Sequence, residues 1–273
     1  IVVVNAAAAV RDRFHGAEAA KVFSLIGMVR SLAPLLAPAI GAFIIHFFHW
    51  EAIFIFLTLY AFIVAFFVYK DLPESYTYSK QNIIESYKIV LKHKIAIKAM
   101  LALGFSFGGF FIIIAKTSFI YIEHFKIQTD YFPFFFGINF IILISMIKVN
   151  VSLLKKFNPV ELVKIAILIQ TAAGILFVFN YENIGLVTIV ILIAIYMSMM
   201  AFIFGNCMAL ALEHFPKNAG VASGVIGVLQ FGLGAIISSI ALSFHNETFL
   251  PIALSISVIS FFAYLIMRTY KNV

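Results

Sequence analysis

The sequence predicts an all-α fold, a polytopic membrane helix bundle. The chain of 273 residues is 63% hydrophobic and only 11% charged, whereas about a quarter of the residues of a soluble domain carry charge. Apolar runs long enough to cross a hydrocarbon layer of ~30 Å as helices recur along nearly the whole chain. The basic residues also sort to one side of these runs, as membrane topology requires.

The elements follow in order along the chain. Residues 1–10 are apolar but too short to span, so we expect the last part of a helix whose start is missing, followed by a polar turn over residues 11–20. Eight complete spans are predicted at 21–48, 52–69, 97–122, 131–149, 160–180, 184–212, 219–244 and 248–267. The long polar break at 70–94 predicts a linker, within which Asn82 to His93 has the pattern of a surface amphipathic helix.

The distribution of basic residues predicts the orientation. If the Arg11–Lys21 turn is cytoplasmic and the spans alternate, 16 of the 19 lysines and arginines are cytoplasmic. Lys126 alone falls on the opposite side, and Arg30 and Lys116 lie inside spans. This asymmetry follows the positive-inside rule and predicts a cytoplasmic C-terminus.

The first predicted span carries an unusual group of helix-bending residues, Pro34, Pro38 and Gly41. A proline removes a backbone donor and pushes against the preceding turn, so a kink between Arg30 and Pro38 is expected. The kink has two interpretations: packing in a crowded bundle, or a bent helix at the interface of two moving halves.

Two basic residues inside spans are candidates for function. Arg30 lies about 13 Å along its helix from Lys21 and hence near the middle of the membrane. A charge there costs at least a few kcal/mol, so it either lines a central cavity or binds carbonyls freed by Pro34 or a neighbouring helix. Lys116 lies nearer the outer surface, where it either snorkels as a structural residue or reaches the cavity.

Several uncharged residues of the spans also have two readings. Asn139, Gln170, Asn206 and Gln230 predict either hydrogen bonds between helices or contacts with a substrate in the transport path. The small-residue series in the span 219–244 predicts close approach of that helix to a neighbour through Gly220, Ser223, Gly224, Gly227, Gly232 and Gly234.

Four segments resemble a known family. They are VRDRFHGAEAAKVFSL (10–25), LAPLLAPAIGAF (32–43), HWEAIFIFL (49–57) and GNCMALALEHFPKNAGVASGVIGVLQF (205–231). In this order they resemble drug-exporting antiporters of the major facilitator superfamily, in the bicyclomycin-resistance (Bcr/CflA) branch. The resemblance implies twelve helices in two six-helix halves, of which this chain would lack helices 1–3. Residues 1–69 would then be the remainder of the N-terminal bundle, 70–94 the cytoplasmic linker and 95–273 the C-terminal bundle.

The resemblance implies proton-coupled export of small, apolar or cationic, drug-like molecules across the bacterial inner membrane, by alternating access. The partners would be the lipid bilayer, the drug and protons; no nucleic acid, metal, cofactor or enzymatic activity is expected. The family's membrane-embedded acid, its expected proton carrier, lies on the first helix, and the predicted spans here hold no deep carboxylate. Two alternatives remain: a metabolite transporter of the same superfamily, and a non-transporting remnant or interaction-only fragment. The residues assigned to the path are Arg30, Asn139, Asn206 and Gln230.

Overall fold

The computed structural model describes residues 2–71, 82–128, 131–182, 184–244 and 248–270, with the backbone alone at 2–5, 8, 34, 35, 38, 39, 42 and 71. It is 87% helical, and no strand occurs in those ranges. The predicted all-α class is therefore confirmed. The helices are α1 (Val2–Arg13), α2 (Gly16–Phe47), α3 (Glu51–Asp71), α4 (Ile83–Lys92), α5 (Lys94–Ser118), α6 (Phe132–Leu153), α7 (Pro159–Asn180), α8 (Leu186–Ser198), α9 (Met200–Leu212), α10 (Ala219–Gly227), α11 (Gly234–Ser243) and α12 (Leu250–Arg268).

Seven segments of the described residues are long and apolar enough to cross a membrane. They match seven of the eight predicted spans and lie at Glu51–Lys70, Lys94–His124, Phe132–Leu153, Pro159–Asn180, Leu186–Leu212, Ala219–Ser243 and Leu250–Arg268. The remaining predicted span, 21–48, which comes first in the chain, is helical within α2 but is not among these seven. The chain is thus a multi-pass membrane protein, as its composition predicts.

Polar side chains cap two helix starts that lie outside the apolar parts of the spans. Asn82 precedes α4, and its side chain accepts a hydrogen bond from the Ile84 backbone N–H at 3.1 Å. His93 ends α4 and begins α5, where its Nδ1 accepts from the Ala96 N–H at 3.2 Å. Such caps satisfy amides that have no partner within the helix. The amphipathic helix predicted at Asn82 to His93 is therefore present.

Two spans contain π-helical turns that the periodicity of the sequence does not predict. One covers Phe119–His124 at the end of the fifth helix, and the other covers Val228–Leu233 between α10 and α11. The span 186–212 is divided as well, by a turn at Met199. Irregular turns of this kind are tolerated in a membrane where neighbouring helices cover them.

The chain forms two compact units. One unit contains residues 1–29 and 81–273, and the other contains residues 30–80. Helix α2 contributes its first part to one unit and its second part, with α3, to the other. The domain boundaries predicted from the sequence, at residues 69 and 95, stay a prediction.

The larger unit is built around the span 186–212, of whose most apolar window 67% is buried. Tyr196 on α8 is a central residue of its core, because its hydroxyl lies 2.7 Å from Ser260 Oγ on α12. Gln170 on α7 donates through Nε2 to the Tyr196 carbonyl at 3.1 Å, so this amide bonds between helices. These contacts join three helices within apolar surroundings, where an unpaired polar group is costly.

The close approach predicted for the span 219–244 occurs, but through other glycines. A Cβ on Gly220, Gly224, Gly227 or Gly232 would meet no heavy atom within 4 Å. The glycines that permit the contact lie mainly on α5: a Cβ on Gly104 would come within 2.9 Å of the Leu229 carbonyl oxygen, and one on Gly108 within 3.0 Å of Ile237. The prediction was therefore wrong about which helix supplies most of the small residues. Gly234 is the exception, because a Cβ on it would lie 3.0 Å from the Phe111 ring on α5.

The cap of α4 leads to a testable prediction. Asn82→Ala removes the acceptor for the Ile84 N–H and should destabilise α4 by about 0.5–2 kcal/mol. Hydrogen exchange of the amides of residues 83–86 should accelerate, while that of the span 186–212 stays unchanged. Asn82→Asp keeps the acceptor and is the control, and equal exchange in the two variants would contradict the assignment of the cap.

Candidate functional site

Three buried polar side chains connect the start of α2 to the second half of the chain. Asn206 on α9 donates through Nδ2 to Asn150 Oδ1 on α6 at 3.1 Å. Asn150 in turn donates through its own Nδ2 to Ser24 Oγ on α2 at 2.9 Å. All three side chains are at most 1% exposed. We call Ser24, Asn150 and Asn206 the amide ladder.

The amide ladder depends on a close approach between α2 and α9. A Cβ on Gly205 would lie 2.7 Å from the Ser24 backbone nitrogen and 2.9 Å from its Cα. One turn along α2, a Cβ on Gly27 would lie 3.0 Å from the Phe204 ring. Distances this short allow no side chain at Gly205, so the glycine lets the two backbones meet. Close backbone contact then brings Ser24 within reach of Asn150.

Arg11 joins α1 to the end of α9. Its Nε donates to the Leu212 carbonyl at 2.8 Å, its Nη2 to the Glu213 carbonyl at 3.2 Å, and its Nη1 to His15 Nδ1 at 2.8 Å. The side chain is 9% exposed. The last carbonyls of a helix lack partners within the helix and carry partial negative charge. The two bonds from the buried guanidinium to these carbonyls therefore hold α1 at the end of α9, and the bond to His15 keeps the guanidinium in place.

The segment after α9 has perturbed ionisable groups. Burial raises the pKa of the Glu213 carboxyl, and nearby Arg11 partly offsets this rise. Burial lowers the pKa of His214, and His93 lowers it further. Burial also raises the pKa of Tyr270, with smaller contributions from Glu213 and Cys207. At the end of α9, therefore, burial disfavours the charged forms of several neighbouring groups.

The three amide side chains predicted to line the transport path lie in three different environments. Asn206 belongs to the amide ladder, whereas Asn139 donates to the Phe135 carbonyl of its own helix at 2.8 Å. Gln230 lies in the π-helical turn Val228–Leu233. Each is buried and keeps one polar atom without a hydrogen-bond partner among the described residues: Asn139 Oδ1, Asn206 Oδ1 and Gln230 Nε2. Such atoms can bond to water or to a polar group of a ligand.

The remaining predicted residues are not brought to the amide ladder. Arg30 is half-buried and belongs to the compact unit of residues 30–80. The side chains of Pro34 and Pro38 lie outside the described residues, although α2 is helical without interruption, and a Cβ on Gly41 would meet nothing within 4 Å. Lys116 Nζ lies 5.4 Å from the centroid of the Phe119 ring. The roles of these five residues stay predictions.

The amide ladder contains two residues that sequence reasoning did not assign to a site. Asn150 stands at the end of an apolar run, where an asparagine is an ordinary capping residue, and Ser24 is one small residue in a long apolar helix. The usable signal was Gly205, directly before Asn206, because a glycine beside a buried amide marks a place where backbones meet.

Comparison with known proteins identifies the family. The family model of the Major Facilitator Superfamily matches residues 1–239 of this chain. The chain belongs to the major facilitator superfamily. This membership confirms the predicted resemblance, and it agrees with the expectation of a transporter rather than an enzyme.

Named members of the superfamily agree with the predicted branch. A bicyclomycin resistance protein homologue of Haemophilus influenzae is 33% identical over 96% of this chain and 68% of its own length. An uncharacterised MFS-type transporter, YdgK, of Bacillus subtilis is 29% identical over 85% of this chain and 60% of its own. The multidrug transporter MdfA of Escherichia coli O157:H7 is 35% identical over 36% of this chain and 25% of its own. The chain therefore spans about two thirds of the length of the first two of these major facilitator relatives.

The contact at Gly205 gives a second prediction. Gly205→Ala places a methyl group against the Ser24 backbone and should destabilise the docking of α2 on α9 by about 1–3 kcal/mol. Thermal unfolding in detergent should show the loss. Gly224→Ala is the control, because its methyl group meets no atom within 4 Å and favours a helix. Equal unfolding temperatures for the two variants would contradict the close approach.

Proposed function

We propose that this chain acts in proton-coupled export of small drug-like molecules across the bacterial inner membrane. Membership of the major facilitator superfamily supports transport, and the names of the relatives support drugs as the substrate class. In this proposal the substrate is small and apolar or cationic, and the two halves rock around a central site.

The amide ladder is the observation that carries the mechanism. It joins helix α2, which the family resemblance places in the N-terminal half, to α6 and α9, which it places in the C-terminal half. A few hydrogen bonds between helices in a membrane contribute about 0.6 kcal/mol each on average, which is small enough for reversible separation. The ladder and the Arg11 contact then close the cytoplasmic end, and alternating access requires both to separate.

The buried polar atoms suggest how the transport path treats a substrate. Asn139, Asn206 and Gln230 offer single unpaired polar atoms among apolar side chains, and they carry no formal charge. Sites of this kind orient a mostly apolar molecule through a small number of hydrogen bonds. Proton coupling requires an ionisable group in the path. We assign one charged residue of this chain, Arg30, to the transport path. An acidic residue on the family's first helix would carry the proton.

The length of this chain, compared with that of its relatives, favours a second candidate function, in which these 273 residues do not transport by themselves. The Haemophilus influenzae relative is matched over 68% of its own length, so the rest of that protein has no counterpart in these residues. Export by cells expressing the 273 residues alone would exclude this candidate.

Orientation supplies a third prediction. Lys88 and Lys126 are both exposed, and the proposal places Lys88 in the cytoplasm and Lys126 outside. A membrane-impermeant thiol reagent added to intact cells should label Lys126→Cys and spare Lys88→Cys until the cells are opened. Cys207 is fully buried, which keeps the background low. Labelling of position 88 alone in intact cells would show that the orientation is the opposite of the one proposed.

A fourth prediction concerns the charges within the spans. In a protein that contains this chain and exports drug, Arg30→Ala should abolish most of that export, because the charge of Arg30 near the middle of the membrane needs polar partners that the cavity supplies. Lys116→Ala should lose less, because Lys116 lies near a span end and contacts Phe119. Drug accumulation at matched expression measures both. Full export by Arg30→Ala would remove Arg30 from the transport path.

A further inference from the structure

A pair of stacked histidines lies where α4, α5 and α9 meet. The rings of His93 and His214 are 4.5 Å apart between centroids and inclined by 30°. His93 lies between α4 and α5, and His214 lies two residues after the end of α9. The Phe215 ring packs edge-on against His93 at 5.3 Å. The pair therefore ties the linker region to the segment between α9 and α10.

The imidazole of His93 caps the start of α5 in this arrangement. Its Nδ1 accepts from the Ala96 backbone N–H, so that nitrogen carries no proton. A proton at Nδ1 would break the cap of α5 and place positive charge at a helix N-terminus, where the helix dipole opposes it.

The Nε2 of His214 is buried without a hydrogen bond. The Glu213 carboxylate, with Oε1 3.8 Å away, is within ion-pair distance and opposes part of the cost of a charge on His214, but it is beyond hydrogen-bond distance. A proton on His214 would place an imidazolium in a partly buried site against the face of a second imidazole. The contact is therefore compatible with a neutral His214 and strained by a charged one.

The surrounding charged groups complete the electrostatics. They are Glu213 from the same segment, Arg11 on α1, His15 in the turn after α1, Lys92 and Lys94 beside His93, and Tyr270 after α12. Arg11 binds the Glu213 carbonyl directly, so a change at His214 is felt at the contact between α1 and α9. Ser86 on α4 donates to Asn218 Oδ1 at 3.2 Å and links the far end of the same segment to the linker helix.

We propose that the His93–His214 pair is a pH sensor that loosens the contact between α1 and the end of α9 when it is protonated. The proposal rests on the proposed function only in placing this end of the bundle in the cytoplasm. A fall in cytoplasmic pH would then favour the open cytoplasmic end and so regulate transport from within the cell.

The sign of the effect follows from the two shifted groups. His214 has its pKa lowered from 6.5 in the closed contact, so the contact is fully stable above about pH 6.5 and loses stability as the pH falls below that value. Glu213 has its pKa raised from 4.5, so its protonation at lower pH favours the contact and opposes the histidine. At pH 5.5 the histidine increases the ratio of separated to closed protein by at most about tenfold.

Distances between spin labels test the proposal. Labels at the exposed positions Arg13→Cys and Lys217→Cys, in the full chain with Cys207→Ala and reconstituted in lipid, report the separation of α1 from the segment after α9. The separated population should rise severalfold between pH 8 and pH 5.5. His214→Phe keeps an aromatic ring and cannot titrate, so the separated population should no longer rise in acid, and the remaining Glu213 should if anything lower it.

Further variants keep the test decisive if His214→Phe folds poorly. His214→Gln should also lose the response, while His93→Asn keeps the cap of α5 and should reduce it. Glu213→Gln removes the opposing group, so its response to acid should be larger than that of the parent chain. Unchanged distances in the parent chain, or an undiminished response in both His214 variants, would overturn the proposal.

The outcomes separate this inference from the proposed function. The labels report the contact whether or not a drug is exported. A normal pH response in a protein that exports no drug would refute the proposed function and keep the sensor. Full export by a protein whose label distances ignore pH would refute the sensor and keep the proposed function.

Discussion

Hydrocarbon offers no hydrogen-bond partner to a polar group, and the junction between the first helices and the second half depends on this constraint. Asn206, Asn150 and Ser24 can be buried together because each supplies what another lacks. They can do so because Gly205 has no side chain to hold α2 away. Steric and polar requirements are therefore met at one place, and neither would be met if the helices moved apart by the width of a methyl group.

The junction changes in chemical character along its length. Inside the spans it uses neutral amides and a hydroxyl, whose bonding does not respond to pH. At the end of α9 it uses Arg11, with Glu213 and His214 close by, where the charges reach the edge of the apolar region. A neutral interior gives a contact of constant strength, and an ionisable end allows conditions outside the membrane to modify it.

The sequence predicts the helices well and their contacts poorly, for physical reasons. Hydropathy and length define the spans, and Asn82 defines the start of α4, because these are local properties. The partners of Asn206 could not be predicted, since Ser24 and Asn150 lie far from it in the chain. The small residues of 219–243 were assigned to packing, yet Gly104 and Gly108 on α5 make the approach, because a glycine shows that contact is permitted and not that it occurs. The π-helical turns leave no periodic signal at all.

Helix α3 differs from the others in a way that bears on how the protein is made. None of the side chains in its most apolar window is buried, and it has no charged residue between Glu51 and Lys70. Such a segment leaves the translocation channel for lipid on its own hydrophobicity, without waiting for later helices. The span of Asn206 has most of its surface covered and its amide paired with α6. Membrane insertion of α3 therefore depends on lipid alone, whereas the span of Asn206 depends on the helices that cover it.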